Sequence, residues 1–201
     1  KLVIMTKSTF FVEEDKILTT LFDEGMDNLH LFKPGSTPLY AERLLSLIPE
    51  DYYRKITVHD HFYLKNEYDL AGIHLDSADT EIPNNYKGKI GRTCTDIQML
   101  KEMKKKSSCV FLKNIFDCIE FSEEKKTFTQ QQLEDAADKG LIDRHVYALG
   151  GMSLDNIRMA KTLGFGGVVI CGDLWSRFDI HNQTDFKELI AHFEKLRNAV
   201  R

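Results

Sequence analysis
The stretch Val146–Trp175 constrains the fold more than any other part of the chain. Two short apolar runs, Val146–Leu149 and Val168–Cys171, each end in glycine, and between them Ile157, Ala160 and Leu163 recur at helical spacing. This is a strand–helix–strand unit, and two strands joined by a crossover helix lie parallel. Glycine at their carboxyl ends lets backbone N–H groups come close to an anion. Parallel α/β folds bind their ligands at those same ends. The expectation is a phosphate site made by Gly150, Gly151, Ile170, Cys171 and Gly172. The plainer alternative is that these glycines only turn the chain.

The same alternation runs back to the first residues. Strands are predicted at Leu2–Thr6, Leu29–Phe32, Ile56–Val58, Gly72–Leu75, Lys89–Gly91 and Cys109–Leu112. Helical stripes fall between them, for example Ile17, Leu18, Leu21 and Phe22. Pro38 after Thr37 marks one helix start, and Thr95/Gln98 and Thr129/Gln132 read as capping boxes. Phe62–Leu70 is weakly helical. Asn114–Phe128 reads as a long polar loop with a short strand at Cys118–Phe121. The last helix carries Phe186, Leu189, Ile190, Phe193, Leu196 and Val200. With the two strands of Val146–Trp175 the total is eight, the number that closes a compact (β/α)8 TIM barrel. A single domain spanning residues 1–201 is expected, with a doubly wound open sheet as the runner-up.

Composition narrows the function. A net charge of −4 over 201 residues leaves no basic footprint for nucleic acid. No apolar run reaches the ~18 residues of a membrane span. The chain opens directly on a strand, which argues against a signal peptide. Cys94, Cys109, Cys118 and Cys171 are scattered, as reduced thiols of a cytoplasmic protein would be. The last helix and Trp175 are the candidate surface for a homodimer.

Polar residues gather after the strands: His30 and Lys33; His59, Asp60 and His61; Asp76, Ser77 and Asp79; Arg92 and Thr93; Lys113 and Asn114. Asp60 and Asp79 are a carboxylate pair suited to a hard cation such as Mg²⁺ that also bridges a substrate phosphate. Zn²⁺ on His59, Asp60 and His61 is a second option, but no later Lys or His cluster completes it. His30 and His74 lie within strands, where core histidines are common. His145, His181 and His192 belong to no constellation.

Four motifs then carry a resemblance: Gly72-Ile-His-Leu-Asp-Ser-Ala-Asp79, Ile90-Gly-Arg-Thr-Cys-Thr95, Ala148-Leu-Gly-Gly-Met152 and Gly166-Gly-Val-Val-Ile-Cys-Gly172. In this order the chain resembles the thiamine-phosphate synthase family and its TenI branch of thiazole tautomerases. The resemblance implies a TIM barrel that joins a pyrimidine pyrophosphate to a thiazole phosphate with Mg²⁺, releasing pyrophosphate. It implies Asp60 and Asp79 as the Mg²⁺ ligands. His30, Lys33, His59 and Lys125 or Lys126 stand near its catalytic positions. Asn114 stands where the tautomerases carry their acid/base histidine. Two departures are plain: Phe32 replaces an arginine of the synthase pattern, and His59 replaces an asparagine. The resemblance therefore also admits a tautomerase using His30, His59 or His61, or a binder without turnover.

Overall fold
The computed structural model describes residues 1–179 and 183–201, with the backbone alone over 183–185, so His181 lies outside the described residues. Eight strands form: β1 Leu2–Met5, β2 Leu29–Leu31, β3 Ile56–Val58, β4 Gly72–Leu75, β5 Lys89–Cys94, β6 Cys109–Lys113, β7 Val146–Leu149 and β8 Gly167–Ile170. They pair in sequence order, all parallel, and β8 closes on β1 through Leu2↔Val168, Val3↔Val169 and Ile4↔Ile170. That closure is the (β/α)8 barrel, and it removes the open-sheet alternative. Helices on the outside are α1 Glu14–Asp23, α2 Pro38–Leu47, α3 Leu64–Glu67, α4 Leu100–Lys105, α5 Gln130–Asp138, α6 Ile157–Leu163, α7 Gly172–Trp175 and α8 Gln183–Val200.

Most strand residues are buried, β5 with its exposed Lys89 being the least so, and period-2 alternation divides them between two faces. Ile4, Leu29, Ile56, Ile73, Val110, Val146 and Val168 face the helices, where they meet Leu18, Leu21, Leu45, Leu133, Ile157, Leu189 and Phe193. Val3, Met5, Phe111, Tyr147 and Val169 form a separate cluster. His30 and His74 pack on Phe111, with ring centroids 5.0 and 4.3 Å away. The near-continuous apolar look of the strands thus hides a polar group inside the barrel.

Local rules explain the starts of α5 and α2. Thr129 and Gln132 make the expected capping box at α5. Thr37 stands before Pro38 but makes no side-chain bond. The box expected of Thr95 does not form: Asp96, one residue later, accepts Gln98 N–H at 2.9 Å and starts a 3₁₀ turn ahead of α4. β5 is longer than expected because Arg92–Cys94 continue to pair with Val110–Leu112. Cys118–Phe121 makes no strand, since Cys118 N–H is taken inside the loop by Glu124 O at 2.9 Å.

Trp175 departs furthest from expectation. It is buried, and its indole N–H donates to Met5 O at 2.7 Å. The large apolar residues Leu189, Phe193 and Leu196 of α8 also face inward. A homodimer surface through Trp175 is therefore ruled out by burial. Beside it, Asp173 is pushed up by burial, but His192 at 2.8 Å and Arg177 at 2.6 Å hold its carboxyl below the usual range. His192, which belongs to no constellation in the sequence, thus clamps α8 to α7.

Replacing the indole by a ring without a donor strands the Met5 carbonyl. Trp175→Phe should cost roughly 1–3 kcal/mol, read as a lower urea midpoint at unchanged slope.

Candidate active site
The carboxyl ends of the strands open onto a cavity of about 130 Å³. Met5, Phe32, Asp76, Thr93, Asn114 and Glu120 line it, with Gly150, Gly151, Cys171 and Gly172. Five of the expected substrate-binding residues therefore meet in one place. The sixth, Ile170, is fully buried among the residues under the helices.

The three glycines are required here, and the reason is visible. Gly150 has φ +105° and Gly151 φ +63°. A Cβ on Gly150 would lie 2.7 Å from Asn114 Oδ1, one on Gly151 2.2 Å from Asp117 O, and one on Gly172 2.5 Å from Ile119 Cβ. The β6–α5 loop thus lies directly over all three strand-end glycines. Its Glu120 reaches across to the first strand. Glu120 Oε1 accepts Ser8 N–H at 3.0 Å and the Ser8 hydroxyl, and Cys171 Sγ–H donates to Oε2 at 3.1 Å. A carboxylate of the chain itself sits among the donors beside Gly172. Burial, then Glu120, pushes the Cys171 thiol well above its ordinary range, so it stays a donor.

On the other side of the mouth a hydrogen-bonded chain runs inward. Asp76 accepts from His59 Nδ1 at 2.9 and 3.0 Å, and His59 Nε2 lies 2.8 Å from His30 Nδ1. With Asp76 ionised, His59 donates from Nδ1 and its Nε2 accepts from His30. His74 Nε2 pairs with Thr93 Oγ1 at 2.8 Å, while its Nδ1 has no partner. Burial, then the neighbouring His59 ring, holds His30 well below its ordinary range, and His74 is likewise held neutral by burial. One ring nitrogen from each of the three lies within 4.8 Å of the others. His59 and His74 are stacked, however, 4.4 Å apart with planes at 20°. Imidazole lone pairs lie in the ring plane, so these two run side by side and do not converge on one ion. As arranged, the three form a hydrogen-bonded core.

The remaining expected residues separate. Asp60 is half-buried, and burial and then Asp76 raise its carboxyl. Asp79 is exposed in the loop after β4, its N–H on Ser77 Oγ at 3.2 Å. His61 Nε2 bonds Ser36 O at 2.9 Å, apart from the three imidazoles. Arg92 points outward to Lys106 O and Ser107 Oγ. Lys125 and Lys126 are exposed on the loop over the glycines. Lys33 is turned away from the mouth. Its ammonium donates to Lys7 O at 2.7 Å, Thr9 O at 2.9 Å and Glu14 Oε2 at 2.5 Å, and both side chains are buried. It pins the β1–α1 loop that carries Ser8. Sequence reasoning passed over Glu120 altogether and listed Asp76 without a role. Asp76 had a signal, its place at a strand end; Glu120 had none.

No family model matches the chain, and no curated protein does. Solved structures do. Thiamine phosphate pyrophosphorylase from Bacteroides thetaiotaomicron is 44% identical, with a TM-score of 0.89, over 99% of this chain and 96% of that one. The chain belongs to the thiamine-phosphate synthase/TenI family. A thiamine phosphate pyrophosphorylase from Pyrococcus furiosus (17% identity, TM-score 0.73, 100% of this chain and 95% of that one) shares the fold. So does a tryptophan synthase α-subunit from the same organism (14% identity, TM-score 0.67, 98% and 97% covered).

The buried Lys33–Glu14 pair sets a pH dependence. Burial pushes Glu14 up to about 7, against the pull of Lys33. The folded state then holds a proton that the unfolded chain releases above about 4.5, so this group's stabilisation falls as pH rises from there through 7. Glu14→Gln should remove that slope, which is worth on the order of 2 kcal/mol, in urea titrations at pH 5 and pH 8. Glu14→Ala leaves the Lys33 ammonium buried and unpaired and should cost roughly 3–5 kcal/mol.

Proposed function
We propose that this protein is a single-domain cytoplasmic thiamine-phosphate synthase. It joins hydroxymethylpyrimidine pyrophosphate to thiazole phosphate and releases pyrophosphate. The observation that carries this is the 44% identity, over nearly the whole chain, to a thiamine phosphate pyrophosphorylase. The thiazole phosphate binds at Gly150, Gly151, Cys171 and Gly172, where backbone can approach an anion without a Cβ in the way. Asn114, nine-tenths buried with Oδ1 unpartnered, orients the bound ring from the same cavity.

Hard oxygen donors for Mg²⁺ lie at the other side: Asp76 raises the Asp60 carboxyl by repulsion, a mismatch that a cation relieves, and Asp79 follows on the loop of Asp76. Asp60 and Asp79 would hold it. When bound, the ion supplies positive charge to the departing pyrophosphate. Lys125 and Lys126 add charge from the loop, which offsets the lost arginine at Phe32 only in part, because ammonium groups lack its two-pronged grip. His59, buried between Asp76 and His30, fixes the Asp76 carboxylate at the mouth from beneath. That same His59–Asp76 pair is the observation favouring the second reading, a TenI-like tautomerase with His59 as acid/base.

Calorimetry separates the two. The synthase should bind thiazole phosphate alone, and pyrimidine pyrophosphate at least ~10-fold more tightly with Mg²⁺ than without it, a gain lost in Asp60→Asn and Asp79→Asn. Binding of thiazole phosphate alone, with no effect of Mg²⁺, would overturn the synthase and leave the tautomerase.

A further inference from the structure
The segment Phe116–Glu120 covers the strand-end glycines with two oxygens of its own. Asp117 O lies against Gly151, 2.2 Å from where a Cβ would stand, and the Glu120 carboxylate lies on Ser8 and Cys171. Three further contacts hold the loop in this place. Phe116 N–H donates to Gly150 O at 2.9 Å, Lys126 N–H to Asp117 Oδ1 at 2.8 Å, and Lys113 pairs with Glu124 at 3.0 Å. The donors that meet Glu120 belong to a set suited to any tetrahedral oxyanion: a main-chain N–H, a hydroxyl and a thiol, with the Gly172 backbone beside them. Lys33 adds a long-range attraction for negative charge there, since the Glu120 carboxylate is among the groups that raise its proton affinity.

The geometry points to Glu120 as a built-in competitor of the substrate phosphate: its carboxylate holds Ser8 and the Cys171 side of the site, the loop that carries it lies over Gly151 and Gly172, and a phosphorylated ligand must displace both to bind. This rests on the reading of the glycine turns as the thiazole-phosphate site. The cavity left beside the loop, about 130 Å³, is small against the ~300 Å³ at which ligand pockets begin, so the loop takes up room that a ring-bearing phosphate would use. A tethered group acts at an effective concentration of about millimolar. The competition therefore weakens the observed affinity without altering the donors themselves, by the fraction of molecules in which the loop has withdrawn. A monophosphate carries more charge and one more oxygen than a carboxylate, so the ligand wins at saturation.

The test is titration calorimetry of the full chain with thiazole phosphate, and separately with inorganic phosphate. Glu120→Ala should bind both about fivefold or more tightly than the unaltered protein. Glu120→Gln keeps the shape and removes the charge, so it should fall between them; it also serves if the alanine variant folds poorly, which a thermal melt reports. Equal affinity in all three proteins, or weaker binding by both variants, overturns the competitor and leaves the phosphate site standing. If none of the three binds either anion, the phosphate site itself is wrong, and the competitor falls with it.

Discussion
The pairing of β1 with β8 is the contact from which the arrangement of the mouth follows. Three register pairs, Leu2↔Val168, Val3↔Val169 and Ile4↔Ile170, turn a row of parallel strands into a ring. Without it, Ser8 and Cys171 would stand at opposite edges of a sheet. With it they stand close enough to share one carboxylate. The indole of Trp175 reinforces the same seam by bonding a β1 carbonyl from α7. Fold stability and site geometry are therefore one constraint, since loosening the seam disperses the donors.

Closure also creates an interior that must be filled, and this chain fills part of it with imidazole. Three buried histidines are acceptable there because His30 and His74 are neutral and four of the six ring nitrogens pair with Asp76, Thr93 or another ring. Charge is tolerated where it is paired: at Asp173, held by His192 and Arg177, and at the Lys33–Glu14 pair, where two carbonyls share the ammonium. Desolvation works against both members, so the pair is better understood as a fastener for the β1–α1 loop than as a source of net stability.

Much of the barrel was legible because its signals are local. Eight apolar runs, helical spacing between them and glycine at the strand ends are properties of neighbouring residues, and so is the capping box at Thr129. The misreadings came where two local solutions compete, as with Thr95 and Asp96, or where a contact spans the chain. Asn114, Gly150, Gly151, Cys171 and Gly172 could be grouped because they end adjacent strands. Glu120 could not, because its partner Ser8 lies 112 residues away on a loop without a pattern. Lys33 follows a strand, as a mouth residue should, yet its side chain turns into the wall. Position along a strand reports where a backbone ends, and packing alone decides where a flexible side chain goes.

Trp175 is the one tryptophan in 201 residues. It is shielded from water, bonded to the carbonyl of Met5, a residue that lines the cavity, and 5.9 Å from the ring of Phe11 on the β1–α1 loop. An indole in that setting emits to the blue of one in water, and its emission responds to whatever shifts Met5 or the loop. The protein thus carries its own optical gauge at the edge of the mouth, with no second tryptophan to dilute the signal.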